Sequence, residues 1–334
     1  MPEETGVTTG YSLGKWSNGL AEWTQGDVAF LSVAFTWKIH EAAMRAHWLK
    51  AEGFRVIAGG PALFLRSLRE KVLDVAEVHT KIIDRDGRRV EVLKDIQEVV
   101  PGHLEGAIVK HNPMATTASR GCPVGCGFCI VPALEGLSFT LLPDFPVRPV
   151  LTDNNLSALP AEYQDHIVSR YVQAGVPLLD ANSGFEPKTF GEDVFERWKT
   201  INEGVWRFAY DETAERDEVR RVCRMLKSKG VPSRKIQVYV LIGNEPYEEC
   251  MARIREVIEW GGEPYAQPIM KLNALDRTPW VRYDWGSGRR LRQVQRWTNG
   301  HFWRNHSFDE YQPGARKISD QFYDEQLGLY GEVA

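Results

Sequence analysis

The sequence predicts a mixed α/β protein in which a partial barrel of six βα units follows a smaller Rossmann-like layer. From residue 27 onward, apolar runs of strand length alternate with amphipathic segments of helix length, which is typical of βα units and a parallel sheet. A charged stretch from about 80 to 110, containing DRDGRR, divides the alternation into two series and has the composition of a hairpin and linker. With 334 residues, the chain is long enough for one large barrel or for two domains.

The first series predicts a small N-terminal unit over residues 1–110. DVAFLSVAF (27–35) is expected to form a buried strand, and TWKIHEAAMRAHWLKAEG (36–53) a helix that ends at Gly53. FRVIAGG (54–60) is expected to form the next strand, and the helix beginning with PALF has proline in its first turn. These elements predict a doubly wound, Rossmann-like layer.

The second series predicts the (β/α)6 core over residues 111–275. We expect its strands at 115–120, 147–153, 176–181, 205–211, 235–243 and 264–270, with amphipathic helices between the later ones. Six such repeats predict a partial relative of the eight-stranded TIM barrel, in which chemistry occurs where the strands end. Residues 276–334 are expected to form an extension that closes the open side of this barrel.

Composition limits the location and partners of the protein. There is no apolar run long enough to span a bilayer, and the first residues lack the basic and apolar parts of a signal peptide. We therefore expect a cytoplasmic protein with no membrane partner. The net charge of −4 gives no global attraction to nucleic acid, so such binding would need a local basic patch.

Three of the five cysteines, Cys122, Cys126 and Cys129, form a CxxxCxxC motif after the first strand of the second series. A structural zinc ion would need a fourth ligand from a distant histidine, Cys223 or Cys250, although the last two lie in helical patterns typical of core positions. An iron–sulfur cluster bound by three thiolates would instead leave one iron open. An iron–sulfur cluster fits the motif better than a structural zinc ion, because the glycines at 125 and 127 allow the loop to wrap tightly around a cluster.

The stretch CPVGCGFC, with an aromatic residue before the last cysteine, resembles the motif of the radical S-adenosylmethionine superfamily. The resemblance covers roughly residues 110 to 275. It implies a [4Fe-4S] cluster whose open iron binds S-adenosylmethionine. One electron, from a donor such as flavodoxin or ferredoxin, then yields methionine and a 5′-deoxyadenosyl radical that abstracts hydrogen from a substrate.

The same resemblance implies cofactor-binding residues at other strand ends. Residues expected to bind the methionine, ribose or adenine parts are Phe128, Asp153, Asn154, Asn155, Asn182, Arg207, Asp211, Ile242 and Gly243. Two alternatives to these cofactor-binding roles stay open. In the first, the side chain of Asp153 or Asn155 caps a following helix. In the second, Arg207 and Asp211 are ion-pair partners inside the barrel.

The N-terminal unit resembles the cobalamin-binding domain of one branch of these enzymes. In that domain, Ser32 and the Gly59–Gly60 pair would approach the nucleotide tail of the corrinoid. The chain lacks a DxHxxG motif, and its opening βα unit is short. Bound cobalamin and a domain used only for packing or substrate binding both remain open.

The segment from 277 to 304 is rich in arginine, lacks lysine and is interleaved with aromatic residues. Such residues bind phosphates and stack on bases, which favours a nucleoside or nucleic-acid substrate and makes Arg289 and Arg290 candidate contacts. The alternative is an amphipathic helix near 287–299 that packs Leu291, Val294 and Trp297 on the barrel.

The combination of HNPMATTASRGCPVGCGFCIVPALEG, DNNL, RFAYDET and VYVLIGNEP also resembles radical S-adenosylmethionine proteins of phage and bacterial genomes whose substrate is unassigned. Other functions remain open: cobalamin-dependent methylation or rearrangement of a small metabolite or peptide, and a non-catalytic iron–sulfur or zinc module.

Overall fold

The computed structural model describes residues 13–66, 95–283, 285 and 288–311. Their strands form a four-stranded sheet, a six-stranded sheet and a two-stranded ribbon. The rest of the helix predicted from residue 61, residues 80–94 of the predicted hairpin and linker, and the end of the C-terminal extension lie outside the described residues.

The four-stranded sheet belongs to the N-terminal unit and has the order β1-β2-β3-β4. Its strands are β1 (Leu20–Gln25), β2 (Val28–Val33), β3 (Arg55–Gly59) and β4 (Glu98–Val99). The predicted βαβ unit is present, because α1 (Ile39–Ala51) connects β2 to its parallel neighbour β3. The short helix α2 (Pro61–Phe64) follows β3.

Strand β1 was not predicted, and it changes the opening of this unit. It pairs with β2 in antiparallel register through a two-residue turn at Gly26 and Asp27. Gly26 has φ of 60°, a value that suits a tight hairpin turn. The sheet therefore starts with a hairpin, which a purely parallel layer would not contain. A Gly-Asp pair between two apolar stretches was the local signal for it.

The six-stranded sheet confirms the coarse prediction of a parallel α/β core. Its order is β12-β11-β10-β9-β8-β5, and all neighbouring strands are parallel. The strands are β5 (Ala115–Thr116), β8 (Val150–Leu151), β9 (Leu178–Ala181), β10 (Asn202–Tyr210), β11 (Ile236–Ile242) and β12 (Glu263–Pro268). Between successive strands from β8 onward lie α5 (Ala161–Ala174), α6 (Glu192–Trp198), α7 (Arg216–Ser228) and α8 (Tyr247–Glu259).

The strand predicted over 115–120 is divided. Its first part is β5, while β6 (Ser119–Arg120) leaves the sheet and pairs with β7 (Thr140–Leu141) in an antiparallel ribbon. The crossover from β5 to β8 therefore contains the ribbon, the cysteines and the short helix α4 (Val131–Leu134). Helix α3 (Ala107–His111) precedes β5.

The described residues form two separate hydrophobic clusters. One, around Leu31, Ile39 and Val56, is confined to the N-terminal unit. The larger one runs from Ala118 to Trp297. Two cores are what two folding units would need, while the boundaries at 110 and 275 remain predictions. No helix within the described ranges is both long and apolar enough to cross a membrane.

The N-terminal unit contacts the chain beside both edge strands of the six-stranded sheet. Before β5, the ring of His111 lies 2.9 Å from the hydroxyl of Ser32 and 2.5 Å from that of Ser17. After β12, the hydroxyl of Thr36 donates to the carbonyl of Ala274. Burial, with a smaller effect of His103, lowers the pKa of His111. The ring therefore favours the neutral form in this contact.

Helix α9 (Gly288–Asn299) covers β12, as the amphipathic pattern predicts. Leu291, Val294 and Trp297 are buried. At its end, the amide of Asn299 accepts a hydrogen bond from the N–H of Ala266 at 2.7 Å and donates to its carbonyl at 3.1 Å. One side chain thereby satisfies both backbone groups at that position of an edge strand.

Candidate functional site

The three motif cysteines lie on a loop between β6 and α4, at the edge of the parallel sheet where the strands end. Cys122, Cys126 and Cys129 are partly buried free thiols. The N–H of Cys129 donates to the carbonyl of Cys126 at 3.0 Å, which makes a turn of the last four motif residues. The loop begins at Gly121, where φ is 88° and a Cβ atom would lie 2.2 Å from the carbonyl oxygen of Ser138. Only glycine fits there.

Glu135, which sequence reasoning missed, holds the two ends of this loop together. Its carboxylate accepts hydrogen bonds from the N–H of Gly121 at 2.8 Å and the amide of Asn154 at 2.6 Å. His103 lies 2.7 Å and Arg120 3.2 Å from it. Burial opposes ionisation, but these donors and the charge of Arg120 outweigh it and lower the pKa of Glu135 to about 2. The carboxylate is thus a fixed anion at neutral pH.

The three polar residues after β8 brace the loop from the neighbouring strand. Asp153 accepts from the N–H of Ala118 at 2.9 Å and from the hydroxyl of Ser119 at 2.5 Å. Asn154 binds Glu135, and the amide of Asn155 points to the sulfur of Cys122 at 3.9 Å. Asp153 does not cap a following helix, because its hydrogen-bond partners, Ala118 and Ser119, precede the cysteines in the chain.

Burial controls the ionisation of Asp153 and of the thiols of Cys126 and Cys129. Burial raises the pKa of Asp153 to about 6, against the opposing hydrogen bonds from Ser119 and Ala118. Burial likewise raises the pKa of Cys126 to about 11, with a further contribution from the charge of Asp211, and raises that of Cys129. Both thiols therefore hold their protons at neutral pH.

The donor set consists of three thiols, the ligands that iron–sulfur clusters use. Within the described part of the chain, no group of three or more Cys, His, Asp or Glu side chains is arranged to hold a metal ion. A cubane cluster binds its cysteines through different irons, so the three thiols need not converge on one point. Cys223 and Cys250 are completely buried on α7 and α8, as the sequence predicted.

Two more carboxyl groups lie at the same edge of the sheet. Asp211 follows β10, and burial, reinforced by the charge of Glu215, raises its pKa to about 7 despite the opposing charge of Arg253. The charge of Asp211 acts on both Cys126 and Cys129, so this carboxyl group lies near the loop. Glu186, after β9, also acts on Cys126 and was not predicted. Asn182 is exposed at the end of β9.

Arg253, which sequence reasoning also missed, holds the ends of two strands in place. Its buried guanidinium donates to the carbonyls of Tyr210 at 2.5 Å and Leu241 at 2.7 Å. It also lies 3.0 Å from the carboxylate of Glu245. The ends of β10 and β11 are therefore fixed relative to each other.

Arg207 occupies an interior ion pair. Its guanidinium contacts the carboxylate of Asp180 on the neighbouring strand and donates to the side-chain oxygen of Gln237 at 3.0 Å. Both charged side chains of the pair are buried. This arrangement corresponds to the alternative that the sequence left open, an ion-pair partner within the sheet.

The expected adenine contacts lie under the C-terminal segment. Ile242 is completely buried. At Gly243, which has φ of 92°, a Cβ atom would lie 2.9 Å from the side chain of Leu291 and 3.3 Å from the carbonyl of Trp280. The close approach expected for a ligand is thus made here by the chain itself. Phe128 is partly buried in the cysteine loop.

The positions expected near a corrinoid tail are also covered by the chain. Ser32 is bound to His111, and the N–H of Gly60 donates to the carbonyl of Gly102 at 2.6 Å. A Cβ atom on Gly59 would lie 2.8 Å from Leu104. These residues do not fit a corrinoid tail in this arrangement.

Comparison with models of known protein families gives no match, and a search of curated proteins gives no significant match either. Functional inference therefore depends on the motif and on the geometry around it.

Proposed function

We propose that the protein is a radical S-adenosylmethionine enzyme with a partial (β/α)6 barrel. The observation that carries the proposal is the position of the CxxxCxxC loop at the carboxyl edge of a six-stranded parallel sheet, braced by three consecutive polar residues of the next strand. In open parallel sheets and βα barrels, ligands bind at that edge. The sequential order of the six strands also supports the barrel.

In this proposal, Cys122, Cys126 and Cys129 would hold a [4Fe-4S] cluster. With bound S-adenosylmethionine, the cluster supplies a 5′-deoxyadenosyl radical for hydrogen abstraction. The chain's own part is to keep the loop closed through Glu135 and to orient polar groups toward it. Asn182 and Asp211 are the candidates to bind hydroxyl or amino groups of the ligand. A one-electron donor such as flavodoxin or ferredoxin would supply the electron.

The test is anaerobic reconstitution with iron and sulfide, followed by dithionite and S-adenosylmethionine. We expect the visible absorbance of a [4Fe-4S] cluster and formation of 5′-deoxyadenosine. Alanine at any one of the three loop cysteines should abolish both signals. The matched control is Cys223→Ala, a buried cysteine in the core, which should keep both.

A colourless, zinc-loaded protein would contradict the proposal. Cluster formation without cleavage of S-adenosylmethionine would identify a non-catalytic iron–sulfur module. Corrinoid absorbance in the purified protein would instead support the cobalamin-dependent alternative. It would contradict the inference that the chain itself covers the corrinoid positions at Ser32 and Gly60.

A further inference from the structure

A surface of cations and aromatic rings follows β12 at the carboxyl edge of the six-stranded sheet. We refer to it as the rim surface, formed by Phe35, Trp37, Lys271, Arg277, Trp280, Arg282 and Tyr283. Its charged members Lys271, Arg277 and Arg282 are all exposed. The surface is independent of the arginines on α9, among which Arg290 lies 3.8 Å from the ring centroid of Tyr247.

Contacts between rings and cations join most of the rim surface into two groups, one around Trp37 and one around Trp280. Phe35 stacks on Trp37 with 4.6 Å between ring centroids, and the guanidinium of Arg277 lies 5.7 Å from the Trp37 ring. The guanidinium of Arg282 is 4.7 Å from the ring of Trp280. The hydrogen bond from Thr36 to Ala274 fixes the N-terminal part beside the later segment.

Phe35 and Tyr283 are the exposed rings of the rim surface, and Phe35 also stacks on Trp37 and packs beside Gly19. Phe35 is 43% exposed and Tyr283 is 49% exposed, although aromatic rings of this size usually bury most of their area. The rings beneath the cations, Trp37 and Trp280, are partly buried and keep the charged groups in place. Planar faces next to fixed cations match the alternation of bases and phosphates along a single strand.

Charge also favours a polyanion at this place. The whole chain carries a net charge of −4, yet the described stretch from 271 to 283 has three cations and one acid, Asp276. A local positive field on an acidic protein attracts a phosphate backbone to one region only. Double-stranded nucleic acid would offer the phosphates without the unstacked bases that exposed rings bind.

We propose that the rim surface binds single-stranded nucleic acid. As a substrate site, it rests on the proposed function, because the cysteine loop and the rim surface flank the same edge of the parallel sheet. Phosphates would contact Arg277 and Arg282, and bases would stack on Phe35 and Tyr283. The binding step itself needs neither cluster nor electron.

The test is fluorescence anisotropy of the full chain with a labelled short oligothymidylate at several salt concentrations. We expect Arg277→Glu with Arg282→Glu to weaken binding by about tenfold or more and to reduce the salt slope by about 0.7 for each lost phosphate contact. Phe35→Leu with Tyr283→Leu should weaken binding about tenfold with an unchanged salt slope, because a stacking contact carries no charge.

Arg224→Glu is the matched control, since Arg224 is an exposed arginine on α7. It should leave the affinity within about twofold if binding is local. Equal weakening by the control would overturn the proposal, as would absence of binding by the unchanged chain at low salt. Thymidine monophosphate competing as well as the oligomer would likewise overturn it in favour of a nucleotide site.

Formation of 5′-deoxyadenosine is measured on the same preparation. Cleavage of S-adenosylmethionine without oligonucleotide binding would contradict only the proposal for the rim surface. Oligonucleotide binding without cleavage of S-adenosylmethionine would contradict only the proposed enzyme function.

Discussion

The carboxylate of Glu135 binds the backbone N–H of Gly121 at 2.8 Å, so one side chain connects the residue before the first motif cysteine with the residue after α4. Cys122, Cys126 and Cys129 all lie between these two residues in the chain. The contact closes the cysteine loop through two groups of the polypeptide itself. Its closure can therefore be tested by substitution of Glu135.

Replacement of Glu135 by alanine should destabilise the protein by about 1–3 kcal/mol, because the buried N–H of Gly121 and the amide of Asn154 lose their acceptor. The pKa of Glu135 is lowered in the folded state, from 4.5 to about 2. Its contribution is therefore fully present above pH 4.5 and is lost as the pH falls toward 2. Urea unfolding at neutral and acid pH should show the difference from the parent chain shrinking at low pH.

The matched control for Glu135 is Glu105→Gln, which changes an exposed carboxylate. It should leave the free energy of unfolding within about 0.5 kcal/mol of the parent value. Iron content after reconstitution provides a second measurement. A Glu135→Ala variant with full stability and full iron content would contradict the structural role.

Asp153 should give the opposite pH dependence. Its pKa is raised from 3.8 to about 6 in the folded state, so between these values the unfolded chain releases a proton that the folded chain retains. Stability should therefore fall as the pH rises from about 4 to 6, by about 3 kcal/mol for a shift of this size. Asp153→Asn should remove this slope, measured as the unfolding free energy across that range.

Asp144→Asn serves as the control for Asp153, because Asp144 is exposed in the same crossover. Its variant should reproduce the parent slope. A parent protein with constant stability from pH 4 to 6 would be inconsistent with the buried carboxyl group.

Arg207→Met should destabilise the protein by about 3–5 kcal/mol, since it leaves the buried carboxylate of Asp180 without its counter-charge. The double variant Arg207→Met with Asp180→Asn should recover much of that loss. Thermal or urea unfolding of the single and double variants gives the coupling energy. Under the proposed function, a stable double variant that binds S-adenosylmethionine would make Arg207 a structural residue, and loss of binding alone would assign it to the ligand.

Gly243→Ala should cost more stability than Gly230→Ala. Both glycines have positive φ, 92° and 82°, but only Gly243 has neighbours within 4 Å of the added Cβ atom. We expect about 1 kcal/mol for Gly230→Ala from backbone conformation. A further 1–3 kcal/mol is expected at Gly243 from overpacking against Leu291 and Trp280. Equal unfolding free energies for the two variants would show that Leu291 of α9 does not pack tightly against Gly243.

Much of the fold was predictable because its signals are local. The helices α5 to α9 and the strands β8 to β12 lie within or overlap the predicted segments, since amphipathic period and terminal glycines are encoded in neighbouring residues. Strand β10 begins at Asn202, before the predicted start at 205. The break after β5 was not predictable in the same way. The side chain that binds Ser119 after the break, Asp153, is far away in the chain and becomes adjacent only when β8 pairs with β5.

The residues of the candidate site also fall into two groups, those recognisable from the local sequence and those that were not. The cysteines, their glycines and the polar run after β8 were recognisable from spacing and position. Glu135, Glu186 and Arg253 were not, because a glutamate or arginine in an amphipathic segment looks like a surface residue until its neighbours are known. The proposed roles of the cysteines and of the predicted ligand residues remain predictions.

By itself, the sequence determined the alternation of strands and helices, the position of the cysteine motif at a strand end and the arginine-rich, aromatic C-terminal segment. The tertiary structure alone decided that Glu135 closes the loop, that Arg207 pairs with Asp180, and that Phe35 joins the segment after β12 in one surface. The physical reason is distance along the chain. Periodicity acts between neighbouring residues, whereas ion pairs, buried hydrogen bonds and ring contacts depend on which strands the fold places side by side.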